Sequence, residues 1–404
     1  MLNKQTIEVI KSTVPVLEIH GTNITTRFYD RLFTSHPELL NIFNHANQKQ
    51  GKQQTALANA VYAAAVHIDK LEAILPVVKQ IAHKHRSLGV KPEHYPIVGE
   101  HLLGAIKDIL GDAATEEILQ AWAEAYGLIA DAFISVEAEM YDQTRRQQGG
   151  WADFRAFKVA EKVKESDVIT SFYLVPEDGK PIADFQPGQY ISVKVEVPGE
   201  PNTHIRQYSL SDAPGNPYYR ISVKREDEKT GKPAGHVSNY LHQAVQEGGI
   251  LWLSAPAGDF VLDVQDERRV VLISGGVGLT PMVSMVNTLV DKYPQRQVTF
   301  IHAAKHSSVH AMKEPLEQLA LANPQLSVHW CYNKLSDEDK ANRTYHKEGY
   351  LDLAWLQEIV PSTDAAFYFC GPVPFMRALN SLLTQLGVPQ ADIHYEFFGP
   401  ASSL

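Results

Sequence analysis

Residues 269–289 read RVVLISGGVGLTPMVSMVNTL. A short apolar run suited to a β-strand, Val270–Ser274, gives way to three glycines in four positions. An apolar stretch around Met282–Leu289 follows and suits a helix. Strand, glycine loop and helix in that order let backbone N–H groups approach a phosphate and place a helix N-terminus behind them. A glycine loop alone is weak evidence; the flanking elements give this one its meaning. Strand-like Val298–Ala303, Leu326–Tyr332 and Ala366–Cys370 come next, with helical stretches between them. Strands alternating with helices predict an α/β domain with a parallel sheet covered on both faces, over residues 264–404.

Upstream the period changes twice. Ile169–Val175, Gln189–Val197, Tyr219–Arg225 and Ile250–Ser254 are short β-type runs separated by Gly, Pro and Asp turns, the spacing of an antiparallel β-barrel over residues 152–263. Residues 1–140 are helical almost throughout. Ile7, Ile10, Val14 and Leu17 step by three and four, as do Ile24, Phe28 and Leu32. Ser35 before Pro37-Glu38 reads as an N-cap. Ile118, Trp122, Ala125, Ile129, Phe133, Val136 and Met140 trace one stripe along a long last helix. Polar residues 141–151 read as a linker or fraying helix end. The chain is multidomain: an all-α domain, a β-barrel and an α/β domain.

The 404 residues carry 37 Lys and Arg against 47 Asp and Glu, a net charge of −10. So acidic a chain is a poor candidate for gripping nucleic acid. The longest apolar run, Ala60–Val66, falls far short of the ~20 residues of a membrane span. Lys4, Glu8, Lys11 and Glu18 stand where a signal peptide would be apolar, so the expected location is cytoplasmic. Two cysteines, Cys331 and Cys370, cannot build a disulfide framework, a CxxC zinc site or a four-thiolate iron–sulfur cluster. A metal here rests mainly on histidine, of which there are 17.

His85 lies on the apolar stripe of its helix with Leu75, Val78 and Ala82, the position of a core histidine or of a ligand. Gln53 and Leu57, spaced i, i+4, look out from one helix face. Tyr29 lies beside Phe28 on the second helix, and Phe43 falls in the corner between. Tyr95 opens another stripe, Glu137 adjoins Val136, and Lys84 adjoins His85; Lys84 and Glu137 also fit solvated surface charges. In the barrel, Arg206-Gln207-Tyr208-Ser209 offers paired donors, an aromatic face and a hydroxyl. Gly235-His-Val-Ser238 precedes an apolar helix, where N–H groups favour anions. Tyr190 also fits an ordinary strand aromatic, and Cys370 a buried cysteine before the turn at Gly371-Pro372.

In chain order these residues resemble a bacterial flavohaemoglobin over essentially the whole length. The resemblance implies haem b, FAD and NADH or NADPH as cofactors. His85 is then the proximal haem-iron ligand, Phe43 packs against the haem, and Tyr29, Gln53 and Leu57 form the distal pocket. Tyr95 and Glu137 hydrogen-bond the proximal histidine, raising its basicity. Arg206, Gln207, Tyr208, Ser209, Tyr190, Gly235 and Ser238 bind the flavin. Gly275, Gly276, Val277, Gly278, Leu279, Thr280 and Pro281 bind the nicotinamide dinucleotide, with Cys370, Gly371 and Pro372 on the nicotinamide side. Glu396-Phe397-Phe398-Gly399-Pro400 covers the flavin ring, and Lys84 and Glu396 tune potentials. Lys305-His-Ser-Ser308 sits where ribose specificity is set and leaves NADH against NADPH open.

The implied activity is nitric oxide dioxygenase. A nicotinamide gives two electrons as hydride and a haem accepts one at a time, so a flavin between them is required. Partners are then nitric oxide, O2 and NAD(P)H, with a lipid as a further candidate for the distal pocket. A hydroperoxide reductase on the same relay, or a haem-based oxygen sensor or store, are the alternatives; storage needs no continuous electron supply.

Overall fold

The computed structural model describes residues 2–399. They form two compact units, one holding residues 2–154 with 194–206, the other 155–193 with 207–398.

In the first unit, helices α1 (Lys4–Ser12), α2 (Val14–Ser35), α3 (His45–Lys49), α4 (Lys52–Val66), α5 (Leu75–Leu88), α6 (His94–Leu110) and α7 (Glu116–Arg146) surround an apolar core. Ile10, Ile24, Phe28, Leu32, Leu102, Ile106 and Trp122 fill that core, as the stripes predict. Ser35 is not a cap. It is the last residue of α2, because Pro37 keeps His36 out of the helical region (φ −132°, ψ 68°) and a 3₁₀ turn begins only at Pro37. Helix α7 starts at a Thr115 side-chain cap, carries Glu116 and Glu117 in its first turn and ends on Arg145 and Arg146, complementing its dipole at both ends. It therefore continues through the first six of the polar residues 141–151. Helix α5 stops at Gly89, which takes the left-handed cap conformation at φ 80°.

Strands β1 (Phe154–Lys164), β2 (Ile169–Pro176), β3 (Tyr190–Glu196), β4 (Thr203–Ser209), β5 (Tyr219–Lys224) and β6 (Ile250–Ser254) form a six-stranded sheet in the order β4-β3-β6-β1-β2-β5. An antiparallel bridge from Leu210, just beyond β4, to Ile221 of β5 joins the two edges, as a barrel requires. Helix α8 (His236–Gln243) leads into β6.

The remaining elements alternate: β7 (Arg269–Gly275), α9 (Leu279–Lys292), β8 (Val298–Ala304), α10 (Lys313–Ala322), β9 (Leu326–Tyr332), α11 (Asp337–Asn342), β10 (Lys347–Glu348), α12 (Leu353–Ile359), β11 (Ala365–Cys370), α13 (Val373–Leu386) and β12 (Ile393–Glu396). Their sheet is wholly parallel, in the order β10-β9-β8-β7-β11-β12. One apolar cluster packs α9 and α10 on one face, and another packs α12 and α13 on the other. The chain leaves β7 toward β8, β9 and β10, then returns to β7's other side with β11. The strand order therefore reverses between β7 and β11, the point at which open α/β sheets bind ligands beyond their carboxyl ends.

In this domain two imidazoles, His302 on β8 and His310 after the turn that follows it, are buried side by side, their ring centroids 4.3 Å apart. His302 Nδ1 meets Ser274 Oγ at 2.8 Å and His310 Nδ1 meets Tyr332 OH at 2.8 Å. Burial drops the His302 pKa to about 3. It also holds His310 well below the ordinary 6.5, with help from neighbouring His302 and Lys313. An unfolded chain takes up protons at both histidines below pH 6.5 while the folded one does not, so stability falls as pH drops. The expected slope is about 1.4 kcal/mol per pH unit for each histidine. The denaturant midpoint of the α/β unfolding transition should fall from pH 6 to pH 5, and less so in His302→Met; a midpoint flat over that interval contradicts the assignment.

Candidate haem, flavin and nicotinamide sites

On the helical unit, α5, α6 and α7 deliver His85, Tyr95 and Glu137 to one point. His85 Nδ1 lies 2.8 Å from Glu137 Oε1, Tyr95 OH donates to the same oxygen at 2.6 Å, and His85 Nδ1 to Tyr95 OH is 3.2 Å. Glu137 is 3% exposed, so the surface-charge reading of this residue is wrong. A carboxylate this buried needs its donors, and both are present. Burial pushes the Tyr95 pKa up, and the Glu137 carboxylate pushes it further, so the phenol stays protonated as a donor. With Nδ1 engaged, the imidazole nitrogen left for a metal is Nε2. Phe133 packs on both rings, 5.6 Å from His85 and 6.2 Å from Tyr95, and the Tyr126 hydroxyl donates to the Tyr95 carbonyl at 2.6 Å. The sequence reading missed Phe133 as a site residue, although its place four before Glu137 on α7 sets it on the same helix face.

Tyr29, from α2, heads a second cluster. Its ring stacks on Phe33 at 5.7 Å and meets Phe43 edge-on at 5.8 Å. Burial raises the Tyr29 pKa, opposed by a hydrogen bond from the Gln48 side chain, so its hydroxyl also stays protonated. Gln48 is a residue that sequence pattern did not offer, because the five-residue α3 shows no periodicity. Its Oε1 accepts from Gln54 Nε2 at 2.9 Å. Gln53 and Leu57 both lie on α4; Leu57 packs against the core, and Gln53 Oε1 is buried without a hydrogen-bond partner. A buried polar atom left unsatisfied fits a site completed by a bound group. Among the described residues no group of three or more His, Cys, Asp or Glu side chains converges as a metal cage. A haem, which brings its own four nitrogens and needs one imidazole, fits such a donor set. Lys84, half-buried beside His85, accepts the Ser87 hydroxyl on its carbonyl at 2.8 Å.

On the reductase side, Arg206, Gln207, Tyr208 and Ser209 fall in the single strand β4, where alternation sets Arg206 and Tyr208 on one face. Gln207 Nε2 donates to Ser192 Oγ at 3.1 Å. Tyr190 exchanges backbone hydrogen bonds with Ala257 in both directions. Gly235 and Ser238 do open α8, but the Ser238 hydroxyl is used locally: it accepts from Glu226 N at 3.1 Å and donates to the Gly235 carbonyl at 3.2 Å.

The two loops at the strand-order reversal touch. Gly275 ends β7, a 3₁₀ turn spans Gly276–Gly278 with Val277 inside it, and Leu279, Thr280 and Pro281 begin α9, all three buried. A Cβ on Gly278 would lie 2.2 Å from the Cys370 carbonyl oxygen and 2.7 Å from Gly371 N. One on Gly371 would lie 2.6 Å from the Phe375 ring. The glycines let two backbones meet where side chains would hold them apart, leaving a bare backbone cradle with Pro372 capping α13. Cys370 is buried, and burial followed by the Glu396 carboxylate, its register partner across β11 and β12, pushes its thiol pKa up. Phe397 packs on the sheet core, Phe398 is exposed and Gly399 takes a positive φ of 150°; Pro400 lies outside the described residues. Lys305–Ser308 directly follows β8, and Ser307 N donates to the buried Asp339 carboxylate at 3.3 Å.

Family models match the chain in three places: Globin over residues 26–133, Oxidoreductase FAD-binding domain over 156–262 and Oxidoreductase NAD-binding domain over 272–381. The flavohemoprotein of Bacillus thuringiensis subsp. konkukian is 61% identical over 404 residues, all of both chains. The chain belongs to the flavohemoprotein family. The Bacillus subtilis flavohemoprotein is 56% identical, covering 100% of this chain and 99% of its own. Among solved structures, the flavohemoglobin of Malassezia yamatoensis, which holds FAD and haem, superposes with a TM-score of 0.85 at 28% identity over 98% of this chain and 100% of its own. As a flavohemoprotein the chain is an oxidoreductase with globin, FAD-binding and NAD-binding domains. Among the described residues no helix is long and apolar enough to cross a membrane.

Gly278→Ala should force the two loops of the cradle apart. NADH should then bind at least tenfold more weakly, read by titrating flavin reduction, while the haem spectrum stays as in the parent protein. Unchanged NADH affinity would show that the cradle is not the dinucleotide site.

Proposed function

We propose that this flavohemoprotein is a nitric oxide dioxygenase, with the overall reaction two nitric oxide, two O2 and one NADH giving two nitrate, NAD⁺ and one proton. The observation that carries this reading is the Glu137 carboxylate, buried and accepting from both His85 Nδ1 and Tyr95 OH. An imidazole that donates to a carboxylate is a more basic ligand. Such a proximal side favours activating O2 over storing it. Relatives support the substrate. A flavohemoglobin-like FAD/NAD-binding domain of a nitric oxide dioxygenase from Vibrio cholerae is 43% identical, covering 61% of this chain and 100% of its own with a TM-score of 0.56.

Haem, FAD and nicotinamide, when bound, supply an O2-binding iron, a converter of electron pairs to single electrons, and a hydride donor. The chain does the rest. His85 would hold the iron, with Glu137 and Tyr95 fixing the tautomer at Nδ1. Tyr29, its hydroxyl kept protonated, would supply a hydrogen-bond donor in the distal pocket with Phe43, Gln53 and Leu57. Arg206, Gln207, Tyr208, Ser209 and Tyr190 would hold the flavin, and Gly235 and Ser238 at the start of α8 would face its pyrophosphate. Gly275–Pro281 and Cys370–Pro372 would seat the dinucleotide, Phe397 would cover the flavin ring and Glu396 would tune it. We place the protein in the cytoplasm, where reduced nicotinamide is supplied.

The protein loaded with haem and FAD should consume NADH faster with nitric oxide plus O2 than with O2 alone, at about one NADH per two nitric oxide. Equal rates would overturn the reading, and faster turnover on an alkyl hydroperoxide would favour the peroxidase alternative, since a basic proximal ligand also promotes O–O cleavage.

Two variants probe the iron's two sides. Glu137→Gln should lower the Fe–His stretching frequency of the ferrous protein and raise the haem potential; parental values would remove Glu137 from the proximal site. Tyr29→Phe deletes one donor to a charged acceptor, about 1.5–3 kcal/mol, and should speed O2 dissociation by one to two orders of magnitude in a flash-photolysis measurement.

A further inference from the structure

Between the barrel and the parallel sheet the chain crosses through residues 257–268, and this crossover is bonded at both ends. On the barrel side Ala257 pairs with Tyr190 in both directions, and Leu262 N donates to the Pro187 carbonyl at 3.0 Å. Gly188, at φ 108°, lies so close that a Cβ there would sit 2.2 Å from the Phe260 carbonyl oxygen and 2.8 Å from the Met285 side chain of α9. On the sheet side Arg268 of the crossover pairs with Asp392 at 2.8 Å, and the crossover's backbone is gripped by a buried arginine. Arg296 Nη1 donates to the Asp263 carbonyl at 2.9 Å and its Nε to the Arg268 carbonyl at 2.8 Å. A second grip comes from β11, where Tyr368 OH accepts from Asp263 N at 3.0 Å.

Arg296 is only 7% exposed, and burial lowers its pKa against the pull of Asp266, Tyr368 and Asp263. Its two carbonyl partners belong to residues five apart in sequence, a span that a planar guanidinium reaches with one rigid group and an ammonium does not. Burying a guanidinium is unfavourable unless its hydrogen bonds are specific. An apolar side chain of the same size would pack there without giving the crossover a fixed course.

Both grips stand on elements that carry the nicotinamide cradle, one at a distance and one close by. Arg296 closes the turn at the far end of α9, the 14-residue helix whose first turn follows Gly275–Gly278. Tyr368 lies two residues before Cys370 on β11. The other end of the crossover is tied to Tyr190, on the flavin side. We infer that Arg296, assisted by Tyr368, is a positioning residue for hydride transfer: it locks the crossover so that cradle and flavin strand keep one spacing. The inference rests on the flavin and nicotinamide sites proposed above. In that step the C4–H bond of NADH breaks, the hydrogen leaves with both electrons to bond flavin N5, and NAD⁺ and reduced flavin result. Such transfers need reacting atoms ~3–3.5 Å apart and lose about 10²-fold for ~1 Å of misplacement.

The test uses the full-length protein loaded with haem and FAD, mixed anaerobically with NADH, in Arg296→Lys and Tyr368→Phe. At saturating NADH, flavin reduction should slow about tenfold in Arg296→Lys and about threefold in Tyr368→Phe. The NADH dissociation constant, FAD content and thermal midpoint should stay close to wild type, and the isotope effect with 4-deuterated NADH should rise. The double variant should slow by less than the product of the two, because both side chains act on one linker. Should Arg296→Lys lose FAD, Tyr368→Phe, which removes a single oxygen, decides alone. Saturating rates within twofold of wild type, or slowing that vanishes when rates are normalised to bound FAD, would overturn the inference. Wild-type protein whose flavin NADH does not reduce would instead sink the relay itself, and the inference with it.

Discussion

Gly278 meets the Cys370 carbonyl and Gly371 N so closely that a single methyl would collide with them, and the carboxyl edge of the parallel sheet is organised around this contact. It is possible only because β7 and β11 are neighbours in register, with Ser274 opposite Cys370. That pairing exists because the chain, after running outward through β8, β9 and β10, returns to the free side of β7. From the same point α9 runs back along the sheet to Arg296, and β11 carries Tyr368. The elements that bare the backbone at this edge therefore also hold the segment by which the sheet is joined to the barrel.

A different economy governs the helical unit. A carboxylate in an apolar interior is strongly unfavourable unless charge-assisted hydrogen bonds replace water. Glu137 meets that requirement with two donors from two other helices. Three helices are thereby fixed at one point, and the imidazole is fixed in its tautomer. The ring is not free to serve as a generic core histidine, since Nδ1 is committed. Around Tyr29 the polar logic runs the other way. Gln53 Oε1 is left buried and unsatisfied, which suits a pocket that a ligand completes. One cluster is saturated with hydrogen bonds; the other keeps a buried polar atom unpaired.

Much of this was legible in the residues. The glycine loop between apolar strand and apolar helix announced both the α/β architecture and the cradle, because close backbone approach demands glycine and leaves that mark. The stripe through Trp122, Phe133 and Met140 announced α7 for the same reason of period. Other features left no mark. Gln48 sits on a helix too short to show a period. Ser35 has the composition of a cap, yet α2 runs through it and ends only at His36 before Pro37, one residue later than a cap at Ser35 would require. Nothing near Arg296 in the sequence distinguishes it from a surface arginine, and Glu137 reads equally well as a solvated charge.

What the sequence determined by itself is whatever depends on local period and local sterics: three regions of different hydrophobic repeat, the strand–loop–helix signature, and the order of motifs that marks a flavohemoprotein. Only the tertiary structure decided that Glu137 is buried beneath His85, that Gly278 abuts Cys370 from 92 positions away, and that Arg296 grips Asp263 and Arg268. Burial and pairing of a charge depend on which distant elements arrive beside it. That is set by packing over the whole domain, and no window of neighbouring residues encodes it.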